Sequence, residues 1–265
     1  MKPGIDSTLD GAGNSLATPL YRDAELRVNS HTQGAERVAS LDALRGLMAL
    51  SVAVYHLHTW THVFGRGTKL SSAVAVLGLF SVQGFFIVSG FCFFHLYREA
   101  AWSRAALTRF HVRRFFRIAP LYYVAVLLNL VLRQPVADQF TWVRFAENMT
   151  LTFGLVHPNH AFVIGGWSIG VEYVFYLVFP LLALATRRRV ALYGAAVLGT
   201  ALALWFTFHV VAEAPELARF NAYVRIANHG FLFLLGGVIA DLRTRTSFRL
   251  SARAFGLGVV ALSAL

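Results

Sequence analysis

The chain alternates long apolar runs with short polar or arginine-rich breaks. The first run, Ser40–Trp60 (SLDALRGLMALSVAVYHLHTW), is long enough for a membrane helix, since about 20 residues at ~1.5 Å each cross a hydrocarbon core. Ser40 reads as its N-cap, with Asp42 in the first turn and Arg45 one turn later. Further runs cover Ser71–Tyr97, about Ile118–Leu132, Gly165–Thr186, Val190–Val211 and a shorter stretch at Asn228–Leu242. Pro120 fits the first turn of the third helix, where its missing N–H is not needed. In the second run Gly78, Ser81, Gly84, Ser89 and Gly90 predict close helix approach.

Between these runs lie stretches of a different kind. Residues 1–39 are polar and rich in Gly, Ser, Asn and Thr, which predicts a disordered cytoplasmic tail ahead of a membrane domain at 40–265. No apolar core with a small-residue cleavage site marks a signal peptide there. Residues 133–164 are too polar for a clear span. Phe145–Val156 predicts a short re-entrant or interfacial helix, and whether residues 143–157 cross the membrane stays open. The final apolar run begins at Ala254 and stops after twelve residues. That is short of a span, so the expectation is an all-α, polytopic transmembrane bundle shortened at its C-terminal end.

Composition sharpens this picture. The chain is 57% hydrophobic and 14% charged, with a mean hydropathy of +0.57, which excludes an ordinary soluble core. Its net charge of +11 would suit nucleic acid. The arginines instead fall between apolar runs, at Arg98, Arg104, Arg109, Arg113, Arg114 and Arg117, at 187–189, and at Arg243, Arg245, Arg249 and Arg253. Cytoplasmic loops carry such an excess, which predicts a cytoplasmic N-terminus and no nucleic-acid partner. The lone Cys92 excludes an intramolecular disulfide and reads as buried filler in an aromatic run. Walker A, G-x-G-x-x-G, HExxH and Cys/His metal spacings do not occur.

Candidate chemistry centres on the first helix. Arg45 and His56 are eleven residues apart, so they lie on nearly one stripe, about 16 Å apart in depth. Ionisable groups at such depth turn toward a bundle interior or wet cavity. Glu172 lies seven residues into a helix of opposite direction, which predicts a depth similar to that of His56. A buried carboxylate beside an imidazole orients it and stabilises its charged form, and serves equally as a clasp between helices. Arg114 and Arg117, one turn apart, suit phosphate or simple anchoring at the membrane surface. Ser89 reads as a packing notch, the minority reading being a nucleophile, since its neighbours in sequence include no base. His58 and His62 fall near the outer interface. His157 and His160, in HPNHAF, read as exposed loop residues, and no metal site is assigned.

Taken together, LDALRG with His56, FFIVSGF, RFHVRRFFRIAPLYY, WSIGVEYVFYLVFPLL and FLFLLGGVIADL resemble, in this order, the acyltransferase-3 family of integral-membrane O-acyltransferases. They cover most of residues 40–242. The resemblance implies transfer of an acyl group, often acetyl, from cytoplasmic acyl-CoA to a hydroxyl of a carbohydrate, another envelope or exported acceptor, or a small molecule. It implies a lipid bilayer as setting, in a bacterial cytoplasmic membrane, and no metal in the transfer. Arg114 and Arg117, the family's RxxR, together with Arg45, would hold the CoA phosphates. His56 would be the general base, oriented by Glu172, with a minor role for Ser89. The competing reading is a transporter or flippase whose polar path is Arg45, His56 and Glu172. It predicts substrate movement without acyl-CoA consumption, and the hydropathy lacks the paired interrupted helices that many transporters carry.

Overall fold

The computed structural model describes residues 39–133 and 140–245, and among them every regular element is helical. Helix α1 spans Ala39–Thr61, α2 Lys69–Tyr97 and α3 Arg104–Arg133. Two short helices follow, α4 at Trp142–Thr150 and α5 at Phe153–Val156, then a 3-10 turn at Pro158–His160. Helix α6 is Gly166–Ala185, and α7 is Arg189–Phe206, prolonged by a wider π-type turn at Thr207–Val211. Helix α8 covers Glu216–Tyr223; α9, Gly230–Arg245, follows a 3-10 turn at Ile226–Asn228. The tail as far as residue 38, Arg249, Arg253 and the run from Ala254 lie outside the described residues.

Among the described residues, five helical stretches are long and apolar enough to cross a membrane: Lys69–Tyr97, Arg104–Val131, Gly166–Ala185, Arg189–Val211 and Ile226–Arg245. Helix α1, at 23 residues, has the length but is not among them. Asp42, Arg45, His56 and His58 dilute its apolar run. The expected N-cap Ser40 is also displaced, because the helix already includes Ala39. The third span differs as well. It starts at Arg104 rather than near Ile118, so the arginines from Arg104 to Arg117 sit on helix and Pro120 lies inside it. Charge does not end a helix whose amides bond internally. Exposed Pro120 removes one N–H from the ladder, a gap that membrane helices tolerate. Residues 142–156 form two short helices rather than one, broken where Leu151 turns left-handed (φ 58°). The nine residues of α4 rise only about 14 Å, too little to span.

Aromatic side chains fill the centre. Phe93 of α2 meets Tyr176 of α6 at 4.8 Å between ring centroids, and Phe175 stacks on Phe233 of α9 at 4.7 Å. Glycines let backbones nearly touch where α2 crosses α9. A Cβ on Gly90 would lie 2.1 Å from the Phe233 carbonyl oxygen, and one on Gly236 2.1 Å from that of Ile87. Small residues at such crossings let dispersion act between whole helices. Gly78 and Gly84 of the same helix receive Tyr55 and Met48 of α1, so α1 runs antiparallel to α2. At the far end of α6, Gly154 and Gly170 bring α5 equally close.

One end of the bundle is fastened at Asp241. This buried carboxylate accepts from Arg98 just after α2 (2.6 Å), from Arg189 opening α7 (3.2 Å) and from Arg245 closing α9 (3.1 Å). Tyr193 donates to it as well, and Arg98 also reaches the carbonyls of Thr186 and Arg187 after α6. Arginine clusters that are far apart in sequence therefore gather at a single end.

Candidate functional site

The arginine end leads inward through an aromatic cage. Arg114, one face of α3, turns into the bundle and places its guanidinium 4.6 Å from the Phe93 ring, 5.5 Å from Phe110 and 5.7 Å from Tyr176. It donates to the Tyr97 hydroxyl at 3.1 Å. Flat guanidinium against ring faces gains cation–π attraction and keeps N–H donors beyond the one spent on Tyr97. Arg117, one turn on, is exposed. Deeper in, Glu172 of α6 accepts from the Ser89 hydroxyl of α2 at 3.0 Å, and Tyr176, one turn along the same helix, donates to the same oxygen. Arg114, Tyr176, Glu172 and Ser89 thus form one polar succession inside an aromatic core.

His56 lies elsewhere. Its Nε2 is 3.2 Å from where a Cβ of Gly165 would stand, at the N-cap of α6, and its ring packs between Tyr55 and Trp60. Gly165 has φ 77°, a left-handed conformation that glycine adopts without a Cβ penalty. Glu172 is seven residues farther along α6, about 10 Å in axial rise. The Glu172 carboxylate is held by Ser89 and Tyr176, whereas His56 stands against Gly165. Arg45 is half-buried near the arginine end, 3.6 Å from Asp42, and donates to the Cys92 sulfur at 3.1 Å. Cys92 is thus a half-buried hydrogen-bond partner rather than inert filler.

The loop before α6 carries a second cluster. Glu147 on α4 accepts from His157 Nδ1 at 2.8 Å on one oxygen and from His160 Nδ1 at 2.7 Å on the other. Burial acts to raise the Glu147 carboxyl, but the two histidine hydrogen bonds prevail and hold it below its ordinary range. Fully buried Asn148 pins the loop: it donates to the carbonyls of Arg144 and His160 and accepts from the Phe162 N–H and the Tyr122 hydroxyl. Residue spacing along α6 could have revealed Tyr176, four residues from Glu172. The approach of Ser89 to Glu172 and of Glu147 to the histidines depends on tertiary packing, and no local signal announces either.

Comparison with known proteins adds lineage to this geometry. The chain is 30% identical to the acyltransferase MdmB of Streptomyces mycarofaciens over 160 residues, 55% of this chain and 39% of MdmB. It is 26% identical to the peptidoglycan O-acetyltransferase OatA of Listeria monocytogenes serovar 1/2a over 230 residues, 77% of this chain and 33% of OatA. The chain thus spans only about a third to two fifths of the length of these curated relatives. No solved structure matches it. The acyltransferase-3 family, described as an acyltransferase domain, matches residues 38–265, and the chain belongs to that family.

Proposed function

We propose that this protein is a membrane-embedded O-acyltransferase that moves an acyl group, acetyl in the simplest case, from acyl-CoA to a hydroxyl on a carbohydrate or another envelope or exported acceptor. The observation that carries this reading is the polar succession Arg114–Tyr176–Glu172–Ser89, with His56 beyond it against the start of α6. Acyl-CoA is cytoplasmic, so the arginine end faces the cytoplasm, in keeping with the charge bias of membrane proteins. Arg114, Arg117 and Arg45 bind the CoA phosphates, as planar forks that match phosphate oxygens. His56 takes the proton from the acceptor hydroxyl as its oxygen attacks the thioester carbon. The C–S bond breaks, and the imidazolium returns the proton to the departing thiolate. General-base action of this kind contributes about 10²–10⁴-fold. Glu172, away from His56, positions Ser89 and Tyr176 along the path of the donor arm.

A second reading rests on the Ser89–Glu172 contact at 3.0 Å, the spacing of a nucleophile and its base. In that reading Ser89 Oγ attacks the thioester, Glu172 takes its proton, and CoA leaves before the acceptor reacts. Acetyl-CoA given without acceptor would then leave one acetyl group on Ser89, seen by mass spectrometry; an unmodified serine leaves direct transfer.

The test is CoA release from acetyl-CoA by the purified chain in nanodiscs, with a panel of sugars as acceptors. Wild type is expected to release CoA, His56→Ala to insert but lose about 10²–10⁴-fold in rate, and Arg114→Ala to raise the KM for acetyl-CoA. Full activity in folded His56→Ala removes histidine from the base role. An Arg114→Ala effect confined to protein abundance returns that arginine to anchoring.

A further inference from the structure

We propose that Glu147, His157 and His160 form a binding site for a divalent transition-metal cation, best suited to zinc. One ligand atom from each lies within 4.8 Å of the others. The Nδ1 atoms sit 2.8 and 2.7 Å from separate oxygens of the same carboxylate. Zinc binds imidazole nitrogen and carboxylate oxygen at about 2.0–2.2 Å, so tetrahedral ligands stand roughly 3.3 Å apart. Outward shifts of about half an ångström would admit the ion. Without it, both imidazoles must carry Nδ1–H to face one carboxylate; a cation takes the place of those two protons.

The arrangement follows from local structure. His157 precedes the 3-10 turn and His160 closes it, with the His160 N–H bonded to the His157 carbonyl at 2.8 Å. Residues three apart in such a turn eclipse one another, and the two rings stack at 4.3 Å with 17° between planes. The His160 backbone is fixed from outside the turn by Arg144 Nε at 2.8 Å and Asn148 Nδ2 at 2.9 Å. Fixing the His160 backbone in this way limits where its ring can stand. All three ligands are half-buried, so the ion can enter and water can fill the remaining position. Two imidazoles disfavour magnesium and calcium, which take oxygen donors. The site lies in the loop leading to Gly165, and neither His56 nor Arg114 is among its three residues.

The experiment uses the full chain, free of any histidine tag, stripped with chelator in detergent and titrated with zinc or magnesium chloride. Calorimetry and elemental analysis after gel filtration are expected to give one zinc per chain and a raised Tm, with no magnesium response. His160→Ala and Glu147→Gln should each weaken zinc at least tenfold. His209→Ala, at an exposed histidine elsewhere, should leave it unchanged. Wild type that retains no zinc overturns the proposal and leaves a carboxylate held by two histidines. Equal affinity in wild type and in Glu147→Gln also overturns it. His157→Gln, which keeps a polar side chain in the turn, replaces any variant that fails to elute as a single species.

Discussion

At the scale of single residues, the position of His56 depends on an atom that is missing. Gly165 leaves the space that the imidazole uses, and its left-handed backbone costs an L-residue about 1–2 kcal/mol. Gly165→Ala therefore acts twice, straining the N-cap of α6 and pressing on Nε2. The expected outcome is a folded protein with a modestly lowered Tm and a larger proportional loss in acyl transfer than in acetyl-CoA binding. Parallel melts, binding and CoA-release assays check it. Arg45 and His56 were legible as a pair from spacing, because one helix fixes both. Glu172 was legible as a carboxylate inside an apolar helix but not in its contacts, since Ser89 reaches it from another helix. The apolar run Gly165–Thr186 matches α6 to within one residue at each end, so the helix was legible while its neighbours were not.

Helices were readable where they are apolar and less so where charge or proline interrupts. The six arginines after Tyr97 look like a loop by polarity, yet from Arg104 they ride on α3, whose backbone satisfies itself whatever the side chains are. Packing between helices was foreseen in kind through the small residues of α2, while their partners were not. Gly236→Ala tests one of the tightest crossings. Its Cβ would sit 2.1 Å from a backbone oxygen, which no rotamer relieves, so α2 and α9 must part. Overpacking of this sort costs about 1–3 kcal/mol or more. A lowered unfolding midpoint in detergent is expected for Gly236→Ala and little change for Gly46→Ala, where added volume meets nothing within 4 Å.

For the whole molecule, Asp241 joins helices that sequence analysis could only align by charge. Removing its charge leaves Arg98 without compensation in a largely buried setting, a loss of about 3–5 kcal/mol for a broken buried pair. Asp241→Asn should therefore lower the thermal midpoint far more than Asp42→Asn, an exposed carboxylate whose pair with half-buried Arg45 is worth a fraction of that. Comparable shifts in the two variants would refute the fastening role. The same carboxylate decides where the bundle is stiff. The ends of α2, α6, α7 and α9 are bound to one another through it and through Arg98, whereas α1 hangs on α2 by inserted side chains such as Met48 and Tyr55. The helix that carries both Arg45 and His56 is thus held outside the Asp241 network, by inserted side chains and by the single hydrogen bonds Arg45–Cys92 and His58–Ser71.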